Sequence, residues 1–396
     1  MNIFPLKAVR AAKPYVKSFS ASLYDNEAKE LSLRLNIDNP NSILHIINPQ
    51  QFRQKELGAE ESYLLSLGKI HELLGNGVLK QEDTPAFYIY RQVKKNDVYT
   101  GVIGLADIEE YQANKIKRHE LTRVEKEEKM FRYMNHVRIN GNPVLLTYQA
   151  MPGLGTFIKE KVEAAPEYHF EAEDGTEHML WVVKGIDDII QMEAYFKKVD
   201  AFYIADGHHR CAATNLLYPE LKTFMACLIP SDQLRIHGFH RYLKDLNGIR
   251  TKDFLRNLER YFEVVEIKEG FPNRSEGSIG LFIKEKWYEI RIPASMKQDP
   301  NPKHNLDVYI LDHFIFGKIL GIKDSRTSTN IRYVNGEIGL KTLILPVKKE
   351  EMKAAFVLSA ITVEDMIHVS DYEETMPPKS TWIEPKMRSG LVMYNF

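Results

Sequence analysis

The residues best suited to chemistry lie in one short stretch, Asp206-Gly207-His208-His209-Arg210. Its two imidazoles, guanidinium and carboxylate can bind an anion, move protons or approach a metal ion. An arginine grips phosphate oxygens through two donors at once, so the cluster favours phosphate as its ligand. Three roles are open for Asp206, which can cap a helix, orient a histidine or help to hold a metal ion. A capped helix start with a polar surface turn is the simpler alternative.

The elements around this stretch are a strand and a helix. The apolar run at residues 201–205 predicts a buried strand that stops at the Asp-Gly turn signal. Residues 209–217 then predict a helix. Helix starts expose backbone N–H groups and the positive end of the helix dipole, so this junction is a suitable place for a phosphate group.

A second charged stretch, Lys117-Arg118-His119-Glu120, also precedes a predicted helix. Thr122-Arg123-Val124-Glu125 fits a capping box, which predicts a helix from there to about Arg138. Cations before a helix start again suit an anion, and Glu120 is a candidate general base. An exposed charged loop before the helix is the alternative.

A third stretch, Met376-Pro377-Pro378-Lys379-Ser380-Thr381, is stiffened by proline and is followed by Pro385-Lys386. The Lys-Ser-Thr order resembles the end of a phosphate-binding loop. Pro378 stands where the Walker motif needs glycine, so no P-loop is predicted. The side chains of Lys379, Ser380, Thr381 and Lys386 can still bind phosphate, and a flexible charged tail is the alternative.

Two shorter segments complete the pattern. His240-Arg241 is a second His-Arg pair that can face the same pocket, although such a pair is also common in cores and on surfaces. Asn39-Pro40-Asn41-Ser42 predicts a turn, and the apolar residues 43–47 predict a buried strand.

Composition limits the class of protein. The chain has 396 residues, which suggests two or three domains, and the turn at residues 245–248 predicts a boundary. Its 53 Lys and Arg residues nearly balance its 54 Asp and Glu residues, which argues against a bulk nucleic-acid binder. The two cysteines, Cys211 and Cys227, indicate no disulfide framework. We find no secretory signal and no membrane-spanning stretch, so we expect a cytoplasmic protein with no nucleic-acid or membrane partner.

Taken together and in this order, the three charged stretches and the Asn-Pro-Asn-Ser turn resemble one family. It was long catalogued only as a domain of unknown function, and it is placed with the ParB/sulfiredoxin-like superfamily. Some of its members are serine kinases that take the phosphoryl group from inorganic pyrophosphate. The resemblance covers nearly the whole chain. One departure is near the start, where members often have Pro-Pro-Tyr-Asp and this chain keeps only Tyr24-Asp25.

From the sequence and this resemblance we expect an α+β or mixed α/β fold of two joined domains with mixed sheets. Residues 1–245 would form a ParB/sulfiredoxin-like catalytic domain. Residues 246–396 would form an α/β domain that carries a phosphate-binding loop at 376–386. The active site is expected in the cleft between them.

The resemblance also implies a reaction, the phosphorylation of free L-serine by pyrophosphate to give O-phospho-L-serine for cysteine or related metabolism. Mg²⁺ is the expected cofactor, held partly by the substrate phosphates and by Asp206. The catalytic residues would be Glu120 as base, Asp206 and His209. The phosphate-binding residues would be Lys117, His119, Thr122, Gly207, His208, Arg210, Lys379, Ser380, Thr381 and Lys386. The substrate-binding residues would be Tyr24, Asp25, His240 and Arg241.

Other readings of the same residues remain open. One is a ParB-like nucleotide-binding regulatory protein without turnover, although no basic helix-turn-helix is evident. Another is a kinase that uses ATP or ADP, or that phosphorylates another small hydroxylated metabolite. A sulfiredoxin-type reductase would need a cysteine where His208 stands. The expected partners are small molecules, namely serine with pyrophosphate or a nucleotide, and a homodimer is left open.

Overall fold

A computed structural model describes residues 1–23, 26–53, 56–268, 277–336 and 338–396 of the chain. The fold is mixed α/β, and its described strands form four sheets, of which the nine-stranded one is mixed and the others are antiparallel. The chain forms two compact units. The first unit contains residues 1–117, 122–234 and 385–396, and the second contains residues 118–121 and 235–384.

The strands are numbered in chain order among the described residues. They are β1 (Ile3–Phe4), β2 (Ala8–Ala11), β3 (Leu79–Gln81), β4 (Phe87–Lys94), β5 (Asp97–Asp107), β6 (Ile116–Lys117), β7 (Ile139–Asn140), β8 (Val144–Tyr148), β9 (Tyr168–Glu171), β10 (Glu177–Val183), β11 (Phe202–Asp206), β12 (Thr223–Pro230), β13 (Arg235–His237), β14 (Phe239–Leu243), β15 (Glu263–Ile267), β16 (Ser278–Ile283), β17 (Lys286–Arg291), β18 (Ile331–Asn335), β19 (Ala354–Val357), β20 (Trp382–Glu384) and β21 (Met393–Asn395).

The α-helices of the same part of the chain are α1 (Val16–Phe19), α2 (Asn26–Leu35), α3 (Leu44–Ile47), α4 (Ala59–Gly75), α5 (Ile108–Gln112), α6 (Val124–Val137), α7 (Pro152–Lys161), α8 (Ile186–Phe196), α9 (His208–Asn215), α10 (Thr251–Leu258), α11 (Asp307–Ile310), α12 (Leu340–Leu343), α13 (Leu345–Lys348) and α14 (Val363–Asp371). A π-helix, Leu311–Ile319, continues α11.

A nine-stranded mixed sheet forms the centre of the first unit. Its order is β6-β11-β8-β12-β5-β4-β10-β9, and β1 pairs with β5. The β6–β11 and β8–β12 pairs are parallel, and the other pairs are antiparallel. Apolar side chains of β11 and its neighbours, among them Phe202, Leu146 and Leu228, are buried in one cluster. Burial of this apolar surface fixes the strand that leads to Asp206.

A smaller sheet returns the end of the chain to the first unit. Its order is β3-β2-β21-β7, so β21 near the chain end pairs with strands far away in sequence. The predicted boundary at residue 245 differs from the observed division in two respects. The main passage between units is at residues 234–235, and residues 385–396 lie in the first unit. Both differences follow from strand pairing. β14 pairs with β18 and β19 in the second unit, and β21 pairs with β2 and β7 in the first.

The second unit is built on a six-stranded antiparallel sheet. Its order is β15-β17-β16-β19-β14-β18, and a separate pair joins β13 to β20. Tyr242, Phe282, Trp287 and Ala355 are buried in its core with residues from α12 and α13. All five residues of β14 are buried, Arg241 among them, so both faces of the sheet are covered at this strand.

Two local predictions are wrong. Residues 43–47 were predicted as a strand, but Leu44–Ile47 is a helical turn whose first amide N–H, that of Leu44, donates to Ser42 Oγ at 3.3 Å. A short apolar run does not distinguish a buried strand from a buried helical turn. The capping box at Thr122 also does not form. Arg123 is the N-cap of α6 and no side chain caps it, because the helix begins one residue later than the box requires.

In the described portions of the chain, no helix combines the length and apolar character needed to cross a bilayer.

Candidate functional site

A bulge and a glycine turn the chain sharply between β11 and α9. The register of β11 against β8 shifts between Ile204 and Asp206, and such bulges redirect the side chains that follow them. Gly207 has φ 101°, in the left-handed region that favours glycine. A Cβ atom there would lie 2.6 Å from Arg210 Nη2, so the close approach of this side chain also requires glycine.

Asp206 is held between two cations. Its Oδ2 accepts a hydrogen bond from Arg210 Nη2 at 3.0 Å, and its Oδ1 lies 3.5 Å from Lys386 Nζ. Burial acts to raise the pKa of Asp206, but Lys386, Arg210 and His208 outweigh it and lower the pKa to about 2. The carboxylate is therefore ionised at neutral pH, although 46% of its side-chain surface reaches solvent. Asp206 orients Arg210 and Lys386, and it does not cap α9.

Lys386 enters this cluster from the far end of the sequence. Its side chain is 13% exposed, and its carbonyl accepts a hydrogen bond from Gln92 Nε2 at 3.2 Å. Strand β4, which carries Gln92, thereby fixes the backbone from which the ammonium group reaches Asp206. The structure brings together Asp206, predicted as a catalytic residue, with Arg210 and Lys386, which were predicted to bind phosphate. These roles stay predictions.

The first turn of α9 carries the two histidines of the motif. The amides of Arg210 and Cys211 donate to the Gly207 carbonyl, which closes this turn. His208 is buried, whereas His209 is half-buried and lines a cavity with Arg210. Burial raises the pKa of the Cys211 thiol, and the same holds for Cys227. Neither sulfur is thus available as a thiolate near neutral pH, which disfavours the reductase reading.

The side chains at this turn can be compared with the ligands that the expected Mg²⁺ would need. Asp206 offers a carboxylate, but its two oxygens already face Arg210 and Lys386. Among the described residues, no group of three or more His, Cys, Asp or Glu side chains is placed to hold a metal ion. The side chains there do not fit a protein-only metal cage. A metal ion bound at this turn would therefore take most of its ligands from phosphate oxygens.

In the second unit, His119 makes two contacts with the loop at residues 376–381. The amide of Met376 donates to the His119 carbonyl at 2.9 Å, and His119 Nε2 lies 3.3 Å from Thr381 Oγ1. His119 is buried, and Glu120 beside it is half-buried. The two predicted phosphate ligands His119 and Thr381 are therefore neighbours.

The middle of the same loop lies on a buried arginine. Arg241 Nη2 donates to the carbonyls of Lys379, at 2.9 Å, and Pro378, at 3.3 Å. Lys379 is exposed and has φ 55°, and Ser380 Oγ donates to the Pro377 carbonyl at 2.6 Å. The loop is ordered by specific bonds, so it is not the flexible tail that was the alternative prediction.

The other predicted residues have the following places. Lys117 lies in β6, which pairs with β11, and Thr122 precedes α6. His240 is 4% exposed, and burial, with Arg241, lowers its pKa to about 4, so it is neutral at pH 7. Tyr24 and Asp25 lie outside the described residues. The predicted substrate contacts of all four residues named as substrate-binding stay predictions.

A cavity of about 890 Å³ in the first unit adjoins the motif, and sequence reasoning missed most of its wall. Arg210 lines it together with Tyr133 of α6 and Asn142 after β7. The only sequence signal for this wall was the Asn-Gly-Asn turn at residues 140–142, because Tyr133 looks like any core residue of an amphipathic helix.

Comparison with protein families assigns the chain. The model of a family described as "Protein of unknown function (DUF1015)" matches residues 3–309, well over half of the length. The chain belongs to this DUF1015 family. A search of curated proteins finds no match.

Solved structures show only distant likeness to this DUF1015 protein. A free serine kinase in complex with AMP has a TM-score of 0.38 and 17% identity, covering 76% of this chain and 90% of that one. A conserved hypothetical protein from Pyrococcus furiosus has a TM-score of 0.37 and 17% identity, covering 75% and 96%. SbnI with a C-terminal truncation, from Staphylococcus aureus, has a TM-score of 0.40 and 12% identity, covering 71% and 82%.

Proposed function

We propose that this protein is a small-molecule kinase with a ParB/sulfiredoxin-like catalytic core. It transfers a phosphoryl group, from inorganic pyrophosphate by the family resemblance, to the hydroxyl of free L-serine. The product is O-phospho-L-serine, and the enzyme is a phosphotransferase with an alcohol acceptor.

The observation that carries this proposal is the charge cluster at the β11–α9 turn. Two cations, Arg210 and Lys386, surround one ionised carboxylate, so the cluster keeps a net positive charge even with both histidines neutral. It lies at the start of a helix, where the dipole adds to the attraction for an anion. Arg210 and Lys386 are held by Asp206 before any ligand arrives, and such preorganised cations stabilise the charge of a transferring phosphoryl group.

Glu120 is the proposed general base for the serine hydroxyl. Its half-buried position beside His119 keeps a carboxylate at the edge of solvent, where it can accept a proton from an incoming alcohol. Glu120 removes that proton as the hydroxyl oxygen attacks one phosphorus of pyrophosphate. The bond from that phosphorus to the bridging oxygen breaks, and the other phosphate leaves as orthophosphate.

Mg²⁺ would neutralise negative charge on the phosphates of the donor. Asp206 is the carboxylate of the turn that can approach it. Since both oxygens of Asp206 already face cations, we assign this residue first to the orientation of Arg210 and Lys386.

The cavity beside Arg210 favours an alternative phosphoryl donor, a nucleoside diphosphate or triphosphate. Its volume of about 890 Å³ lies within the roughly 300–1,000 Å³ of small-molecule pockets. Met130, Met134 and Ile139 give it an apolar wall, and Lys126 and Lys129 add cations. Pyrophosphate and serine have little apolar surface, whereas a nucleotide carries a flat base beside its phosphates.

Three buried polar atoms of the cavity-lining residues support the same candidate. Tyr133 Oη, Asn142 Oδ1 and Arg210 Nε have no hydrogen-bond partner in the described part of the chain. Buried polar atoms are nearly always hydrogen-bonded, so each of these three would gain a partner if the wall shifted to admit a polar ligand or ordered water.

The test is ³¹P NMR of the purified protein with Mg²⁺, L-serine and, in separate tubes, pyrophosphate, ADP and ATP. A phosphoserine signal in one tube supports the kinase and names its donor. If the donor is a nucleotide, Tyr133→Phe should raise its KM about 3- to 10-fold through the lost hydrogen bond. No signal with folded protein would contradict the proposal. Nucleotide binding without turnover would then favour the regulatory alternative.

A further inference from the structure

The buried guanidinium of Arg241 organises one end of the second unit. Arg241 is 2% exposed, and it lies on β14 between Tyr333 of β18 and Phe356 of β19. Its Nη1 donates to the Phe239 carbonyl, and its Nη2 donates to the carbonyls of Pro378 and Lys379. No acidic side chain is bonded to it within the described residues, so backbone oxygens supply the hydrogen bonds of this enclosed cation.

The arginine is itself fixed by its surroundings. Its guanidinium carbon lies 5.3 Å from the centroid of the Tyr333 ring, and Tyr333 Oη donates to the Ser325 carbonyl at 2.9 Å. Burial lowers the pKa of Arg241 to about 10, while Tyr333 and Asp312 act to raise it. The side chain therefore stays charged at neutral pH and has little freedom to leave the loop.

Arg241 binds a stretch of backbone whose conformation is unfavourable without support. Lys379 has φ 55°, a left-handed conformation that costs free energy for a residue with a side chain. The bonds from Arg241 to its carbonyl and to the preceding one stabilise that conformation. As a consequence, Lys379 remains exposed, with Nζ 5.7 Å from the centroid of the Phe239 ring.

We propose that Arg241 is a positioning residue, which presets the loop at residues 376–381 so that Lys379 meets the phosphate of the donor. The proposal rests on the proposed function, in which this loop binds phosphate. It replaces direct substrate contact as the role of Arg241. The side chain acts through the carbonyls of Pro378 and Lys379 and never touches the substrate.

A double-mutant cycle with pyrophosphate as the probe tests this role. Arg241→Lys keeps the charge but cannot donate to three carbonyls in the same geometry. We expect it to raise the pyrophosphate Kd, measured by calorimetry, and the donor KM, each roughly 10- to 100-fold, with kcat within about twofold. In the Lys379→Ala background the same substitution should add less than about twofold, because its effect passes through Lys379. Arg332→Lys, an exposed neighbour on β18, is the matched control and should match the wild type.

The outcomes separate this inference from the function. If the wild type makes phosphoserine and Arg241→Lys leaves KM and Kd unchanged, the positioning role is overturned and the kinase stands. If Arg241→Lys raises the pyrophosphate Kd by the same factor with Lys379 present and with Lys379→Ala, the positioning role is also overturned. Such additivity would show that Arg241 acts on the structure and not through Lys379. If the wild type binds pyrophosphate but makes no phosphoserine with any donor, the kinase is overturned and the calorimetric cycle still decides the positioning role. If the wild type binds no pyrophosphate, the positioning role and pyrophosphate as the donor are overturned, and the kinase is decided by the ADP and ATP tubes. If Arg241→Lys fails to fold by circular dichroism, Tyr333→Leu, which removes the ring beside the guanidinium, replaces it and should raise Kd in the same direction.

Discussion

At the scale of single residues, the central turn depends on the fork of Arg210. One of its nitrogens, Nη2, is bound to Asp206, and Nη2 and Nε both lie over Gly207, while the residue as a whole lines the cavity. We expect Asp206 to hold one side of this guanidinium and the donor phosphate to be bound by the other. A lysine cannot do both from one ammonium group.

Arg210→Lys should therefore weaken donor binding. We expect the donor KM to rise about 10- to 100-fold, the range for loss of a hydrogen bond to a charged group. Steady-state kinetics measure the change. Arg132→Lys, on the exposed face of α6, is the control and should leave KM as it is. An Arg210→Lys enzyme with the wild-type KM would remove this residue from the phosphate site.

The ionised state of Asp206 predicts a pH dependence of stability. Its pKa of about 2 lies below the ordinary value near 3.9, so the ionised carboxylate stabilises the folded chain. That contribution is complete above about pH 4 and is lost as the pH falls towards 2. Urea midpoints of wild type and Asp206→Asn should thus differ by a constant amount from pH 7 to about 4 and converge below it. A difference that stays constant down to pH 2 would contradict the charge cluster.

At the scale of elements, the β11–α9 junction is set by Gly207. Its positive φ disfavours any side chain, and a Cβ atom there would lie 2.6 Å from Arg210 Nη2, so the arginine would have to move. Gly175, in the β9–β10 turn, has a similar φ of 77° but has nothing within 4 Å of its Cβ position. Comparing substitutions at these two glycines therefore distinguishes the effect of backbone strain from the effect of displacing Arg210.

Gly207→Ala and Gly175→Ala should share a loss of stability and differ in function. Each should lose on the order of 1 kcal/mol or more from strain at positive φ. Gly207→Ala should also raise the donor KM about 10-fold or more, because the new methyl group displaces Arg210. Thermal unfolding and steady-state kinetics measure the two effects. Equal kinetics for the two variants would show that the position of Arg210 does not matter.

The sequence predicted this junction because its signals are local. An apolar run, an Asp-Gly turn and a helix start are adjacent, so the strand, the turn and α9 follow from neighbouring residues. The helical turn at Leu44–Ile47 could not be recognised, since a run of this length is apolar in either state. The start of α6 was misplaced by one residue, within the usual uncertainty of helix ends.

At the scale of the whole molecule, the sequence could not show how distant segments combine. Lys386 reaches Asp206 across 180 residues, and β21 pairs with β2 and β7, without any local signal for either contact. Such contacts arise from tertiary packing. The same is true of the cavity wall at Tyr133 and Asn142. The passage between the two units at residues 234–235 also depends on distant pairing, because β14 pairs with strands of the second unit.

The central claim is transfer of a phosphoryl group to the hydroxyl oxygen of free serine, with Glu120 as base. The most direct measurement uses L-serine labelled with ¹⁸O in its hydroxyl group, Mg²⁺ and each donor, followed by ³¹P NMR. Because the hydroxyl oxygen attacks phosphorus, the phosphoserine signal should carry the isotope shift of one bridging ¹⁸O. Glu120→Gln should form this product at least about 100-fold more slowly than the wild type. Glu125→Gln, on the exposed first turn of α6, should match the wild type. Phosphoserine without ¹⁸O, or none from a folded enzyme with any donor, would contradict the account.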